Sequence, residues 1–236
     1  MSKRAVILAG GKGSRLRPYT VVLPKPLMPL GEYPVLEIII RQLVHYGFDH
    51  ITLTVNHQAD IIRAYFGDGS KWNILIDYSL EDKPLSTMGP LKLIPDLPGN
   101  FLVMNGDVLT DLDFAQFYDE HCKRGTIFTI SSFLRTDISE YGVLETNHKN
   151  QLSNFIEKPR HHYNVSMGVY MAKREITAHI PEDKAYGFDN LMIDLLARKE
   201  PVGVIIHSGY WLDIGRPDDY LEAIEQFERS RKRFLP

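Results

Sequence analysis

Arg4-Ala5-Val6-Ile7-Leu8-Ala9-Gly10-Gly11-Lys12-Gly13-Ser14-Arg15-Leu16-Arg17-Pro18 is the stretch on which the reading of this chain turns. Residues 4–8 are a short apolar run, which predicts a buried first strand, and a glycine-rich turn opens where the run stops. Gly10, Gly11 and Gly13 permit positive φ angles and lack the Cβ atoms that would hold a phosphate away from backbone N–H groups, so the turn reads as a phosphate site. Arg15 and Arg17 add planar cationic donors. The competing reading is a tight turn flanked by solvated arginines. Two better-known loops fail on spacing. Leu16 stands where a dinucleotide fingerprint has its third glycine, and the second predicted strand ends at Asn56-His57 instead of an acid. Gly11-Lys12 runs into Gly13, not into the Ser or Thr of a Walker A loop.

Outward from that turn, Leu23-Pro24-Lys25-Pro26-Leu27 holds a lysine between two prolines in a stiff extended loop, which gives its ammonium a fixed bearing. Residues 34–44 carry apolar side chains at helical spacing and stop near Gly47; residues 51–55 are β-branched and read as a strand. Residues 59–66 read as a helix closed by Gly67-Asp68-Gly69, and 74–78 as a third strand. This alternation predicts the α/β class: a Rossmann-like three-layer α/β/α arrangement around a mostly parallel central sheet. From Thr126 strands follow one another, at 127–131, 142–145, 152–156 and 165–171, and predict antiparallel pairs over the first half's edge. Residues 188–198 read as a helix, 202–206 as a late strand, and Pro217 suits the first turn of a final helix over 218–227.

Polar residues at the carboxyl ends of such strands are the candidates for chemistry. Ser86-Thr87 could cap a helix starting near Gly89, and helix N-termini there bind anions or polar ligand edges. Glu81 reads either as a solvated loop acid or as an acceptor for two adjacent donors of a ligand, such as the N1–H and exocyclic amine of a guanine if the bound ligand carries one. Residues 101–105 end in Asn105-Gly106-Asp107, which sets a carboxylate where it can hold Mg²⁺ against substrate phosphates; the competing reading is a strand-terminal turn. Asp111 and Asp113 form a D-x-D, read mainly as the opening of a helix over 114–122 with Asp113 as its cap. Cys122, the only cysteine, reads as structural, Trp211 as packing, and the pair His161-His162 as loop. The cluster of Arg229, Arg231, Lys232 and Arg233 reads as a solvated helix end. A net charge of −3 over 236 residues argues against a general nucleic-acid binder. Neither a signal peptide nor a long apolar span precedes the first strand, so no membrane association and a cytoplasmic location are expected.

G-G-x-G-x-R-x-x-P, P-K-P, N-G-D, E-K-P and W-L-D-I-G follow in that order and span nearly the whole chain. Together they resemble the signature of the sugar-1-phosphate nucleotidyltransferases, the nucleotide-sugar pyrophosphorylases. The resemblance implies a single domain over 1–236, with a nucleotide-binding half over 1–125 and a sugar-phosphate-binding half, the antiparallel extension, over 126–236. It implies transfer of a nucleoside monophosphate from a triphosphate to a sugar 1-phosphate with release of pyrophosphate. Leu8, Ala9, Gly10, Gly11, Gly13, Ser14 and Arg15 would cradle the triphosphate, and Lys25 would stabilise charge at the α-phosphorus; Arg15 and Lys25 are the catalytic pair. Glu81, Thr87, Gly89 and Asn105 would complete the nucleotide site, although Ser86 and Met88 replace the commoner Gly and Ala of the family's base-binding segment. Asp107 and Asp213 would hold Mg²⁺. Tyr141, Gly142, Glu157, Lys158, Ser166 and Gly168 would bind the sugar phosphate, with Ser166 where the family commonly has Asn. P-L-x-T-x-G-P-L looks most like guanylyltransferases acting on mannose- or heptose-type 1-phosphates, so GTP is the expected donor; uridylyl and thymidylyl relatives share nearly every catalytic residue. No β-helical or other C-terminal domain is expected after the last helix, and a homo-oligomer is left open. Two other classes are compatible: a retaining glycosyltransferase using Asp111 and Asp113, and a non-catalytic nucleotide-sugar sensor, which would be expected to lack Arg15, Lys25, Asp107 or Asp213.

Overall fold

A computed structural model describes residues 2–11, 13–56 and 58–235. Lys12 and His57, on which two of the spacing arguments touch, lie outside the described residues. The elements are β1 (Arg4–Leu8), β2 (Pro29–Leu30), β3 (Tyr33–Pro34), α1 (Val35–His45), β4 (His50–Val55), α2 (Ala59–Phe66), β5 (Leu75–Leu80), β6 (Asn100–Asn105), β7 (Val108–Thr110) and α3 (Phe114–Arg124). They continue with β8 (Phe128–Ile138), β9 (Val143–Thr146), β10 (Leu152–Ile156), β11 (Arg160–Lys173), α4 (Phe188–Ala197), β12 (Val202–His207), β13 (Trp211–Asp213), α5 (Pro217–Arg229) and α6 (Arg231–Phe234).

The main sheet has seven strands in the order β12-β8-β11-β6-β1-β4-β5. Six run the same way; β11 alone is antiparallel, against β6 on one side and β8 on the other. The apolar run that opens the chain forms the middle of this sheet, with Val6 aligned to Thr52 of β4 and to Val103 of β6. A strand covered on both faces must be apolar at successive positions, because each side chain meets a core. Ile7, Leu53, Leu102 and Met104 pack under α1, α3 and α5; Val6, Phe101, Val103 and Tyr170 pack under α4. Each fully buried Leu, Ile or Phe in these two layers contributes roughly 1.5–3 kcal/mol against exposure.

The second half builds on the first half's edge: β11 pairs antiparallel with the edge strand β6 and with β8, β9 pairs antiparallel with β10, and β8 and β12 regain the common direction. β8 and β11 are far longer than the apolar runs that announced them, because their outer parts pair with each other as an exposed ribbon and need no apolar core. His161 and His162 therefore lie in β11, not in a loop, and the His162 Nδ1 meets Thr136 Oγ1 at 2.8 Å. The helix expected near Gly89 is a single 3₁₀ segment, Gly89–Leu93. Asp113 does cap α3, accepting from Gln116 N–H at 2.8 Å. Asp111 has a different fate. Its carboxylate accepts from Tyr210 N–H at 2.6 Å, sits 2.8 Å from His207 Nε2 and pairs with Arg233, at the same C-terminal end expected to be solvated. Arg231 likewise pairs with Glu32 and stacks on Tyr33. Cys122 is exposed on α3. Trp211 packs against Phe133 and donates to Met167 O at 2.8 Å. Among the described residues no helix is long and apolar enough to cross a membrane.

Glu37 on α1 is 1 % exposed and accepts from Arg41 Nε and Nη2 at 2.9 and 2.7 Å and from Tyr65 O–H at 2.8 Å. Burial pushes its carboxyl up, but the Arg41 and Tyr65 hydrogen bonds outweigh that and hold it below the usual range. Glu37→Gln removes the charge that these donors face. It should lower the thermal midpoint by about 4 °C, corresponding to about 1–2 kcal/mol, as read by calorimetry.

Candidate active site

A cleft of about 560 Å³ opens at the carboxyl ends of β6, β1, β4 and β5. It is lined by Leu8, Gly10, Gly11, Gly13, Ser14, Arg15, Lys25, Glu81, Thr87, Asn105 and Asp107 from the sequence-derived set. Thr54, Asn56, Pro84, Ser86 and Gly215 complete the lining. The glycine turn earns its composition locally. A Cβ on Gly10 would stand 2.9 Å from Glu81 Oε1, and Gly13, at φ +58, lies where a Cβ would be 3.1 Å from the Lys25 Cβ. The chain thus approaches the lysine loop as only glycine allows. Leu16, fully buried, anchors the turn from below and leaves Arg15 exposed at its rim.

At the β6 end, Lys25 pairs with Asp107 through Oδ2, both side chains being mostly buried. Asp107 Oδ1 is buried with no hydrogen-bond partner among the described residues. Asp213 stands close by, because β13 pairs with β7, aligning Asp213 with Val108, and Ile214 N–H donates to Asp107 O at 3.1 Å. Burial first, and then the Asp107 charge, hold the Asp213 carboxyl above its usual range, against the pull of Lys25 and Arg15. Gly215 closes this end; a Cβ there would lie 3.4 Å from Asp213 Oδ2 and 3.5 Å from Arg15 Nη2. An unpartnered carboxylate oxygen beside a second, half-buried carboxylate suits a hard divalent cation. No group of three or more metal-ligating side chains occurs among the described residues, so an ion held here takes its remaining ligands from phosphate and water.

At the β5 end, Glu81 is half-buried, not solvated. Its Oε2 accepts from Leu85 N–H at 3.2 Å, while burial outweighs that bond and pushes the carboxyl up. The neighbouring loop is held by a segment remote in sequence: Met88 and Gly89 N–H both donate to Tyr186 O at 2.9 Å, and Tyr186 N–H donates to Leu85 O at 2.9 Å. Thr87 does not cap the turn that follows it. Its hydroxyl accepts from Phe188 N–H at 2.8 Å and so caps α4 instead, while the 3₁₀ segment Gly89–Leu93 has no side-chain cap. Gly89 is buried behind the cleft with its N–H committed to Tyr186, and Ala9 lies in the core with its N–H on Thr54 O at 2.9 Å. Neither stands among the lining residues, and the amides of both serve the fold.

The residues expected to bind the sugar phosphate divide. Gly168, at φ +74 beside a register shift in β11, sits where a Cβ would be 2.6 Å from Asn105 Nδ2, so this turn abuts the cleft wall. Ser166 donates to Tyr170 O–H at 3.0 Å. Gly142 packs against Phe155 and Glu157, while Tyr141, Glu157 and Lys158 are exposed and stand outside the cleft lining. Of the residues that sequence reasoning missed, Gly215 was within reach as the last letter of W-L-D-I-G; Thr54, a β-branched residue in a strand, carried no signal.

The Asp213 and Glu81 shifts make a stability statement. Both carboxyls bind protons more readily folded than unfolded, so the ionised forms cost the fold stability once pH rises past their ordinary values, 3.8 and 4.5. Stability contributed by these groups is greatest in acid and falls as pH rises through the raised values. Asp213→Asn should therefore melt higher than wild type at neutral pH without divalent cation, and the gap should close towards pH 4; a lower melting point at neutral pH would contradict this.

The Nucleotidyl transferase family model matches residues 4–230. A UTP–glucose-1-phosphate uridylyltransferase of Synechocystis sp. is 34 % identical, over 94 % of this chain and 62 % of its own length. A mannose-1-phosphate guanyltransferase of Aspergillus oryzae is 32 % identical, over 93 % of this chain and 63 % of its own. This chain thus spans less than two thirds of the length of these relatives. Among solved structures, HddC from Yersinia pseudotuberculosis complexed with GMP-PN is similar at a TM-score of 0.73 and 29 % identity, over 95 % of this chain and 99 % of that one.

Proposed function

Because this chain belongs to the nucleotidyl transferase family, we propose that it transfers a nucleoside monophosphate, GMP in the first instance, to a sugar 1-phosphate. The observation that carries this reading is the polarity of the cleft: Lys25, Arg15 and the Asp107 carboxylate line one end, with the Asp213 carboxylate beside them, and a half-buried carboxylate lines the other. The first suits a triphosphate, the second a base with adjacent donors.

A phosphate oxygen of the sugar 1-phosphate attacks the α-phosphorus and forms a new P–O bond. The bond to the bridging oxygen of the β-phosphate breaks, and pyrophosphate leaves with that electron pair. No general base is required, since the attacking phosphate is already an anion. Two anions must meet, so the protein's task is alignment and charge neutralisation. The turn at Gly10, Gly11, Gly13 and Ser14 and the Arg15 guanidinium hold the triphosphate, and Lys25 faces the charge developing at the α-phosphorus. Asp107 and Asp213 would hold Mg²⁺, which would supply Lewis-acid stabilisation of phosphate charge. Gly168 and Ser166 border the acceptor end, and Tyr141, Gly142, Glu157 and Lys158 reach the sugar phosphate from the exposed hairpin.

GTP is favoured because a carboxylate matches the two adjacent donors of guanine and opposes the carbonyl oxygens of uracil. The Aspergillus relative and the GMP-PN complex point the same way, while the Synechocystis relative supports UTP as the second reading. A glycosyltransferase using Asp111 is disfavoured, since Tyr210, His207 and Arg233 occupy its carboxylate. Pyrophosphate release with GTP, UTP, dTTP, CTP and ATP against hexose and heptose 1-phosphates tests the proposal. Turnover with GTP supports it, a UTP or dTTP preference overturns the choice of base, and nucleotide-sugar binding without any turnover leaves a sensor.

A further inference from the structure

Five threonines are buried, and four have found partners. Thr20 donates to Gly13 O at 2.6 Å, Thr52 accepts from Arg4 Nε at 2.9 Å, Thr110 donates to Tyr210 O at 2.8 Å, and Thr129 meets His121 Nδ1 at 2.7 Å. Thr54 is the exception: it is 1 % exposed, its Oγ1 has no partner among the described residues, and it lines the cleft. A buried hydroxyl without a partner costs free energy in the protein by itself, so its persistence in a residue that lines the cleft points to a partner that arrives with the ligand.

Position says which part of the ligand that is. Thr54 is on β4, aligned with Leu8 of β1 and Ser79 of β5. Asp107 follows β6, two strands away, and Glu81 follows β5, one strand away. With strands spaced by about 4.8 Å, Thr54 is set roughly 10 Å from the Asp107 end and roughly 5 Å from both the glycine turn that follows β1 and the row that carries Glu81, the nucleoside side of the cleft. Side chains two apart on a strand share a face, so Thr54 and Asn56 point with Ser79 and Glu81 to the same side of the sheet. Asn56 is already committed to Gly10 O, and Thr87 accepts from Phe188 N–H. We propose, resting on the nucleotidyl-transfer reading, that the Thr54 hydroxyl hydrogen-bonds the base of the bound nucleoside triphosphate, next to the edge read by Glu81. It is a binding residue that contributes affinity for the nucleoside and none for the phosphates.

The role has a signature that a structural threonine lacks. Thr54→Val keeps the shape and removes the unpartnered hydroxyl, so the ligand-free protein should become more stable while the nucleotide binds less well. Calorimetric titration of the full chain with GTP, or with whichever triphosphate the wild type binds most tightly, should show a dissociation constant raised about tenfold in Thr54→Val. Inorganic tripolyphosphate should bind both proteins equally. The ligand-free melting temperature should rise by about 2 °C, and Thr54→Ser, which restores the hydroxyl, should return nucleotide affinity towards wild type. Unchanged nucleotide affinity in Thr54→Val, an equal loss for tripolyphosphate, or a lower ligand-free melting temperature overturns the assignment. If Thr54→Val does not fold, Thr54→Ser against Thr54→Ala makes the same comparison of hydroxyl against none. A wild type that binds no triphosphate overturns the nucleotidyl-transfer reading itself, and this assignment with it, an outcome distinct from all the others.

Discussion

Asp107→Asn is expected to lower the rate of pyrophosphate release about a thousandfold while leaving the fold intact. Asn is isosteric, so the strand end and the hydrogen bond from Ile214 N–H to the residue 107 carbonyl are unaffected. What disappears is the negative charge that holds Lys25 and completes a two-carboxylate site with Asp213. Losing the electrostatic organisation of a phosphate-transfer site removes several kcal/mol of transition-state stabilisation, and about 4 kcal/mol is about a thousandfold. Steady-state kinetics with saturating substrates, together with circular dichroism and a melting curve, separate this from unfolding. A variant with more than a tenth of wild-type turnover would remove Asp107 from the chemistry and leave Lys25 to be explained as a structural ion-pair partner.

Glu81→Gln is expected to weaken the preference for GTP, lowering its kcat/KM about a hundredfold and narrowing its advantage over UTP. The carboxylate presents two acceptors, of which Oε2 is held by Leu85 N–H and Oε1 lies against the glycine turn. A carboxamide replaces one acceptor by a donor, which opposes a guanine N–H but complements a uracil carbonyl. A mismatch inside a desolvated cleft is costly because the polar groups left unpaired have no water to return to. Competition kinetics with GTP and UTP reads the ratio directly. If both triphosphates lose equally, Glu81 shapes the loop through Leu85 and does not read the base.

Much of this is legible in the sequence, and for a physical reason. The alternation of apolar runs with helical periodicity is enforced by burial on both faces of a parallel sheet, so β1, α1, β4, α2 and β6 stand within a residue or two of their expected bounds. The glycine turn, Lys25 and Asp107 were readable because each meets a demand that few residue types can satisfy: close backbone approach, a fixed cation, an anionic oxygen at a strand end. The five ordered motifs also carried the family, which the match over residues 4–230 bears out. Other features depended on what the chain returns to meet. The reversal at β11, the outer pairing of β8 with β11, the capping of α4 by Thr87, the capture of Asp111 by Tyr210, His207 and Arg233, and the lone hydroxyl of Thr54 each pair groups far apart in the chain, apart from that last unpaired one. Local propensity determines which segments are strands and helices, whereas the partner of a polar side chain is decided by packing across elements, and only the tertiary structure brings those elements together.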